Sequence, residues 1–433
     1  MKAIIIGAGI VGATTAASLA KKGYDVTVLE QEMIAAGASH ANGGQLSACH
    51  TTPWANPGAP LKVLKWAMSR EESPLIFRPH ANLHQLSWLM KFAWNCLPWK
   101  TEYNTKALLR LALHSRTVRE SYQVGMPRYD GLSNGILHFY RTKSELKDAH
   151  RDTVLMNAEG LDRRAVTVAE ALEIEPALKP IASELVGATF TPSDSSGDTA
   201  DYTRFLLSPE WAIKRGVSGS IRVLKGTVCG LQVHHGQAHV QLCDNSTCTT
   251  YTLMTADVIV VCAGVWSREL VRPLGINLNI EPARGFSLTL GLQTLSGKRV
   301  KGPHVSLTDD ERKLVYSRLG NDLRVAGTAA LTGYNNQLTA ADSPRIESML
   351  ASARRTFGLP EDLSKMVAWS GLRPLTPSNR PYVCPTHIEN LFLNTGHGSL
   401  GWTLSAGSAD LIASFVERRT VLDTKPYSLQ VLH

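Results

Sequence analysis

The 433-residue chain is poor in cysteine, which limits the chemistry that thiols could supply. Its seven cysteines are an odd number scattered along the chain, so we expect reduced thiols and no disulfide framework. Cys243 and Cys248 lack the spacing of a metal site and a nearby histidine, and we interpret them as surface strand residues. No Cys-rich run of the kind that holds an iron–sulfur cluster is present. The sequence therefore predicts no metal site.

Long apolar runs, repeats and low-complexity tracts are also absent. The most apolar stretch, Leu83 to Trp99, is too short and too polar to span a bilayer. The first expected strand begins at residue 2 and leaves no room for a signal peptide, so we expect a cytosolic protein. The net charge of +8 comes from dispersed lysines and arginines, without the basic block typical of nucleic-acid binding. An acidic membrane surface or an anionic substrate explains this charge equally well.

Glycine, by contrast, is concentrated in loops near both ends of the chain. Gly7, Gly9 and Gly12 form a Gly-x-Gly-x-x-Gly loop between the apolar run 3–6 and a helical pattern that Gly23 can end. This order of strand, loop and helix is typical of a dinucleotide site, where backbone amides and the helix dipole face the pyrophosphate.

A second expected strand and a second glycine loop extend this pattern. The strand 25–29 ends in Glu30, whose carboxylate would bind ribose hydroxyls and repel a 2′-phosphate. The C-terminal loop runs from Asn394 to Trp402, and the helix that it opens would offer amides and its positive end to an anionic ring. The apolar run Val258–Cys262 must be buried on both faces and leads into the Gly264 turn, which is typical of a ligand-binding sheet edge. The pattern favours FAD or NAD over NADP.

Five of the nine tryptophans lie in the segment 54–99, among lysines and arginines. Tryptophan beside lysine is typical of a membrane interface, where this segment could lie without crossing the bilayer. The alternative is that these aromatic side chains form the helical core of a substrate domain. Both interpretations stay open at this point.

Five regions together resemble the D-amino-acid oxidase superfamily of FAD enzymes: 7–30, 38–47, 263–267, 370–374 and the C-terminal glycine loop. Their order and spacing match across almost the whole chain. Within this superfamily the segments 52–58, 324–327 and 394–398 are similar to the bacterial D-amino acid dehydrogenases of the small-subunit type.

The resemblance implies an α/β fold with two domains. One is a discontinuous, Rossmann-like FAD-binding domain of the glutathione reductase type. The other is an α+β substrate domain with a mixed or antiparallel sheet. We assign the FAD-binding domain to residues 1–55, 145–275 and 365–433. The substrate domain then covers residues 56–144 and 276–364. Between Leu185 and Leu290 the residue pattern is largely that of strands.

The resemblance also implies an activity. FAD would be bound non-covalently, a D-amino acid would be oxidised to an imino acid, and hydrolysis would give a 2-oxo acid and ammonia. Electrons would pass to a quinone, with the protein held peripherally on the inner face of the cell membrane. Binding of nucleic acid is not expected, and an additional subunit is left open.

Three other functions stay open beside this one. After Pro377 the family commonly has Asp-Gly, where this chain has Ser378-Asn379-Arg380-Pro381, and this departure leaves room for a D-hydroxyproline or other imino-acid dehydrogenase. An oxygen-using D-amino acid oxidase is a second alternative. A non-catalytic or electron-transfer subunit is a third and is disfavoured.

The cofactor residues follow from the glycine loops and from the resemblance. The loops and strand ends give Gly7, Gly9, Ile10, Val11, Gly12, Glu30, Gly264, Gly396, Gly398, Ser399, Leu400 and Gly401. The resemblance adds Ser39, Asn42, Gly44, Gln45 and Leu46 around the pyrophosphate and the ring, and Val228 at the adenine.

Three side chains are candidates for the catalytic site. Arg373 could grip a substrate carboxylate with two parallel hydrogen bonds; the alternative is a surface arginine in an ion pair. Tyr316 is expected by resemblance to donate a second hydrogen bond to that carboxylate, unless it is only packed in the core. His397 invites the role of a base, but solvent can supply a neutral substrate amine, so we expect it to position the loop or the ring.

Overall fold

The computed structural model describes residues 1–60, 75–77, 83–123, 131–132, 134–243 and 249–429. The α-helices of this part of the chain are α1 (Ile10–Lys21), α2 (Leu83–Asn95), α3 (Pro98–Gln123), α4 (Lys143–Ala158), α5 (Val168–Ile174), α6 (Thr199–Leu206), α7 (Pro209–Arg215), α8 (Ser267–Val271), α9 (Ser343–Phe357) and α10 (Gly401–Val416). The first ten strands are β1 (Lys2–Ile6), β2 (Asp25–Glu30), β3 (Gln45–Leu46), β4 (Leu75–Phe77), β5 (Ile136–Tyr140), β6 (Arg164–Val166), β7 (Gly187–Thr191), β8 (Ser195–Ser196), β9 (Ser220–Lys225) and β10 (Val228–His234). The others are β11 (Gln237–Cys243), β12 (Tyr251–Met254), β13 (Val258–Val261), β14 (Glu281–Gly291), β15 (Ser306–Asp309), β16 (Leu314–Leu319), β17 (Asp322–Leu331), β18 (Met366–Leu375), β19 (Tyr382–Pro385) and β20 (Leu391–Thr395).

A six-stranded sheet with the order β19-β20-β13-β1-β2-β9 holds both ends of the chain. All its neighbouring strands are parallel except β19, which runs antiparallel to β20. The sheet is buried on both faces, because alternate side chains of β1 enter different cores: Ile5 packs with α1 and α10, and Ile4 packs toward β10 and β11. The expected burial of 258–262 on both faces is thereby confirmed.

A second, mixed sheet has the order β18-β14-β17-β16-β15-β5-β7-β6, with β4 paired to β17. Most of its pairings are antiparallel, and β15 with β5 is a parallel pair. Its core packs beneath α5 and α9. The predicted fold class, an α/β architecture with a mixed second sheet, is confirmed.

The structure differs from the sequence-based expectations in three details. Strands β6, β7 and β18 pair in the second sheet, although the expected domain boundaries at 145 and 365 put them in the first domain. Three short helices, α6, α7 and α8, interrupt the stretch 185–290 that we expected to be largely strands. Cys243 at the end of β11 is disulfide-bonded, so the expectation of reduced thiols is wrong for this residue.

The tryptophan-rich segment 54–99 divides into buried and exposed residues. Trp88 on α2 is buried, and its indole Nε1 donates a hydrogen bond to the carbonyl of Leu375 at 3.0 Å. Trp94 and Trp99 are more than half exposed, whereas Trp66 lies outside the described residues. Among the described residues, no helix is both long and apolar enough to cross a membrane.

Candidate active site

A cavity of about 1710 Å³ lies between the two sheets, and residues from both sheets line it. The first sheet contributes the loops that follow β1, β13 and β20. The second contributes β14, β16, β17 and β18. The volume exceeds the range of about 300–1,000 Å³ that is typical of small-molecule sites, as a long dinucleotide together with a substrate would require.

The N-terminal glycine loop is shaped for close approach of a ligand to the backbone. Gly7 has a φ of 105°, and a Cβ there would lie 2.7 Å from the carbonyl oxygen of Cys262. A Cβ on Gly12 would overlap the carbonyl of Gly7, so Gly12 lets α1 pack against β1. Helix α1 begins after Gly9 without a side-chain cap, although the amide of Ile10 donates to Ser39 Oγ at 2.9 Å. Its remaining first-turn amides fit a pyrophosphate.

Glu30 lies beside this loop at the end of β2. Its Oε2 accepts a hydrogen bond from the amide of Ala8 at 2.8 Å, and its Oε1 accepts one from the amide of Glu32 at 3.0 Å. The two bonds hold the carboxylate at the cavity wall, where a ribose would lie if the pyrophosphate occupied the glycine loop.

The segment that follows Ser39 crosses from the first sheet to the second. Asn42 Oδ1 accepts hydrogen bonds from the amide of Gly44 and from Thr199 Oγ1, both at 2.9 Å. Gln45 Nε2 donates to Ser306 Oγ at 2.9 Å on β15. These contacts fix the segment against both sheets.

Most of the assigned cofactor residues line the cavity. Those that do so are Gly7, Gly9, Ile10, Val11, Glu30, Ser39, Asn42, Gly44, Gln45, Val228, Gly264, Gly396, Gly398, Ser399, Leu400 and Gly401. Gly12 and Leu46 do not: Gly12 packs the helix on the strand, and Leu46 is buried in the core around α1.

His397 anchors the C-terminal glycine loop. Its Nε2 lies 3.1 Å from Ser408 Oγ on α10, and flanking glycines with φ of 80° and 56° turn the backbone around it. Burial lowers the pKa of His397 to about 3, which keeps the imidazole neutral. These contacts favour a positioning role over that of a base.

Arg373 projects from β18 into the cavity wall, where no described residue supplies a counter-charge. Its Nη1 donates to the carbonyl of Thr328 at 2.8 Å, and its guanidinium lies 5.9 Å from the ring of Trp54. Within the described part of the chain it forms no salt bridge, and burial lowers its pKa to about 10. Gly285 on the neighbouring strand makes room for it, because a Cβ there would overlap the guanidinium. A partly buried guanidinium with no counter-charge among the described residues fits an anionic partner, which a substrate carboxylate would supply.

Tyr316 lies away from the cavity, contrary to its predicted contact with the substrate carboxylate. Its hydroxyl is 2.9 Å from Ser352 Oγ on α9, and its ring packs edge-on against Phe357. The reason is the alternation of side chains along β16, which turns Val315 toward the cavity and Tyr316 into the opposite core.

Several cavity residues were not predicted. Trp54 and Gly285 shape the surroundings of Arg373: Trp54 lies in the segment 52–58 but was given no role at this site, and Gly285 belongs to no predicted motif. Cys49 and His138 are 89 residues apart in sequence and lie 3.1 Å apart, measured from Sγ to Nε2. The adjacent pair Cys49-His50 was the only local signal available in the sequence for this contact.

A family model described as FAD dependent oxidoreductase, DAO, matches residues 2–415. The chain belongs to the DAO family. It is an FAD-dependent oxidoreductase, and the expected resemblance is confirmed. The glycine loops, the cavity and Glu30 fit the cofactor that this family uses.

The two relatives and two solved structures that follow are named after amino acids. The chain is 41% identical to the D-amino acid dehydrogenase of Dechloromonas aromatica (strain RCB), over 97% of each chain. It is 40% identical to the D-amino acid dehydrogenase of Paramagnetospirillum magneticum, over 97% of this chain and 96% of that one. Among solved structures, glycine oxidase from Geobacillus kaustophilus has a TM-score of 0.71 at 21% identity, covering 100% of this chain and 98% of the other. L-proline dehydrogenase from P. horikoshii has a TM-score of 0.68 at 17% identity, covering 99% and 96%, and these two structures support the fold alone.

Proposed function

We propose that this protein oxidises D-amino acids to imino acids, which hydrolyse to 2-oxo acids and ammonia. The observation that carries the proposal is Arg373, a half-buried guanidinium without a counter-charge among the described residues, in the same cavity as the glycine loops. FAD, bound non-covalently, would accept the hydride of the substrate α-carbon. The names of the relatives at 41% and 40% identity support a D-amino acid as the donor.

The residues around Arg373 suggest how the substrate is held. The planar guanidinium would bind the carboxylate with two hydrogen bonds, and its contact with the carbonyl of Thr328 fixes its plane beforehand. Orientation of this kind can lower the barrier by several kcal/mol, on the order of the 7–11 kcal/mol available to well-aligned reactions. His397 is bonded to Ser408 and neutral, so it would position the loop and leave removal of the amine proton to solvent.

The first experiment is anaerobic reduction of the bound flavin, followed by its absorbance. The panel contains D-amino acids, their L-enantiomers, glycine, sarcosine and D-hydroxyproline. Rapid bleaching by several D-amino acids supports the proposal. Bleaching by the imino or N-methyl acids alone would replace it with a specialised dehydrogenase. Flavin that no compound reduces would contradict a catalytic role for the isolated chain and indicate an additional subunit.

Substitution Arg373→Lys tests the carboxylate contact directly. Lysine keeps the positive charge but cannot form two parallel hydrogen bonds, so we expect kcat/KM to fall by roughly 30-fold or more. A 30-fold fall corresponds to about 2 kcal/mol, the lower end of the range of about 2–5 kcal/mol that loss of such a contact costs. Arg355→Lys is the matched control, because Arg355 pairs with Glu184 at the surface. An Arg373→Lys enzyme with unchanged kcat/KM would exclude Arg373 as the clamp.

We also propose that electrons leave to a quinone at a membrane on which the protein rests peripherally. The support is an exposed apolar face on α2, formed at helical intervals by Leu83, Leu86, Met90 and Trp94. Leu97 in the connection and Trp99 at the start of α3 extend this face. The Lys100 ammonium lies 4.5 Å from the ring centroid of Trp99, a combination favoured at lipid interfaces.

Flotation with lipid vesicles tests this face. We expect wild type to float with anionic vesicles and Met90→Glu/Trp94→Glu to remain in solution. Ile213→Glu is the control, since Ile213 is an equally exposed apolar residue on α7. Equal flotation of all three proteins would contradict the proposed contact. Oxygen consumption during turnover distinguishes a quinone-linked dehydrogenase from an oxygen-using oxidase.

A further inference from the structure

A cluster of one thiol and two imidazoles lies in the wall of the cavity, outside the groups that the proposed reaction uses. Cys49 and His50 end a short 3₁₀ helix, Ala48–His50, and His138 lies in the middle of β5. One ligand atom from each of the three residues lies within 4.8 Å of the others. The rings of His50 and His138 are 4.5 Å apart between centroids.

We propose that Cys49, His50 and His138 form a binding site for a divalent cation of the zinc class. Thiolate sulfur and imidazole nitrogen are ligands that Zn²⁺ prefers, whereas Mg²⁺ and Ca²⁺ prefer oxygen. This site is independent of the proposed oxidation.

The spacing of the donor atoms supports this assignment. With Zn–S near 2.3 Å and Zn–N near 2.0–2.1 Å, tetrahedral geometry puts ligand atoms roughly 3.4–3.6 Å apart. Cys49 Sγ and His138 Nε2, at 3.1 Å, need to separate by only a few tenths of an ångström. The third ligand needs an approach of about 1 Å, which a rotation of the His50 side chain at the cavity surface can supply.

Neighbouring groups hold the ligands in place. Both oxygens of Asp194 accept backbone hydrogen bonds, from Ala48 and Cys49, each at 3.0 Å. Asp194 is in turn paired with Arg116 at 2.8 Å. Such second contacts typically orient the ligands of a metal ion.

The three ligands leave one coordination position for a molecule in the cavity. Three protein ligands with an open fourth position are the arrangement of catalytic zinc sites, as distinct from closed structural ones. Thr308 lies next to the cluster, with its Oγ1 3.4 Å from His50 Nε2. Binding replaces the thiol proton of Cys49 with a metal–sulfur bond, and that proton passes to solvent.

The alternative is a hydrogen-bonded Cys49–His138 pair with His50 stacked on it. A Zn²⁺ titration of the holoenzyme distinguishes the two. The enzyme is treated with a chelator, checked for retained flavin, titrated with ZnCl₂ and desalted, and its metal content is measured by mass spectrometry. We expect one Zn²⁺ per chain, with sulfur scattering at about 2.3 Å in X-ray absorption.

Variants assign the ligands. Cys49→Ser and His138→Gln should weaken Zn²⁺ binding by about tenfold or more, and the sulfur scattering should vanish in Cys49→Ser. Cys229→Ser is the matched control, because Cys229 is a free, exposed thiol on β10. If the buried variants do not fold with their flavin, His50→Gln at the cavity surface gives the same test. The proposal would be overturned if the wild-type enzyme retained no Zn²⁺. It would also be overturned if Cys49→Ser or His50→Gln retained as much Zn²⁺ as the wild type.

Discussion

At the scale of single residues, the position of Arg373 depends on a neighbour without a side chain. A Cβ on Gly285 would overlap the guanidinium, so Gly285→Ala should displace Arg373 while every charged group is kept. We expect kcat/KM to fall on the order of tenfold to 100-fold, because small misplacements of a positioning group are costly. Steady-state kinetics with the flavin content verified measure this effect.

The control for Gly285→Ala lies two residues further along β14. Ser287 is buried, and its hydroxyl has no hydrogen-bond partner among the described residues. Ser287→Ala should leave kcat/KM near that of wild type. If both variants behave alike, Gly285 does not set the position of Arg373.

Tyr316 provides a second prediction because its observed position contradicts its expected role. Tyr316→Phe removes a buried hydrogen bond to Ser352, and this should lower the free energy of unfolding by about 1 kcal/mol. Ser352 keeps a donor in Arg312, which limits the loss. The substrate KM should not change, since the hydroxyl lies outside the cavity. A several-fold rise in KM would instead indicate that the Tyr316 hydroxyl contacts the substrate carboxylate.

These residues show where sequence reasoning succeeds at this scale. Arg373 could be placed from a local motif, and the structure puts it in the cavity wall. The position of Tyr316 could not be predicted in this way, because a shift of one residue along a strand turns a side chain to the opposite face of the sheet. Cys49 lies on a short 3₁₀ helix and His138 on β5, and they meet only through tertiary packing, which the sequence spacing does not encode.

At the scale of elements, the loop before α10 depends on a neutral histidine. The pKa of His397 is about 3 in the folded protein and near 6.5 when the chain is unfolded. The unfolded chain therefore binds more protons below pH 6.5, and the free energy of unfolding falls as the pH is lowered from 6.5 toward 3. Between pH 8 and pH 5 this contribution is about 2 kcal/mol.

His397→Gln should remove this part of the acid sensitivity. We expect the loss of unfolding free energy between pH 8 and pH 5 to be about 2 kcal/mol smaller than in wild type. Urea titrations at the two pH values measure it. His150→Gln is the control, because His150 is exposed on α4. Equal pH dependence in His397→Gln and wild type would contradict a neutral, buried His397.

Elements with strong local signals could be predicted, and those set by distant contacts could not. The loop between β1 and α1 follows from Gly7, whose φ of 105° only glycine adopts easily. The membership of β6 and β7 in the second sheet depends on the pairing of β7 with β5 and of β6 with β7, which no local pattern encodes. In the turn after Pro377, Asn379 adopts a left-handed φ of 62°, which asparagine tolerates better than most residues other than glycine.

At the scale of the whole molecule, one cavity lies between the two sheets, and residues from both sheets line it. Gly7 and Glu30 line it from the first sheet, and Gly371 and Arg373 line it from the second. A ligand that fills it contacts both sheets at once, and it binds the folded chain only. FAD should therefore stabilise the entire protein, by about 2.7 kcal/mol at a concentration 100 times its Kd.

Removal of FAD tests this coupling and the proposed non-covalent attachment together. Unfolding in acid should release the flavin into the supernatant, and flavin that stays with the precipitated protein would contradict non-covalent binding. The apoenzyme prepared under milder conditions should melt at a lower temperature and regain its Tm when FAD is added. Riboflavin at equal concentration should restore little, because it lacks the pyrophosphate that the glycine loop fits. Equal stabilisation by riboflavin would mean that the ring pocket alone joins the sheets, and the Gly7–Gly12 loop would then contribute nothing to the stability of the complex.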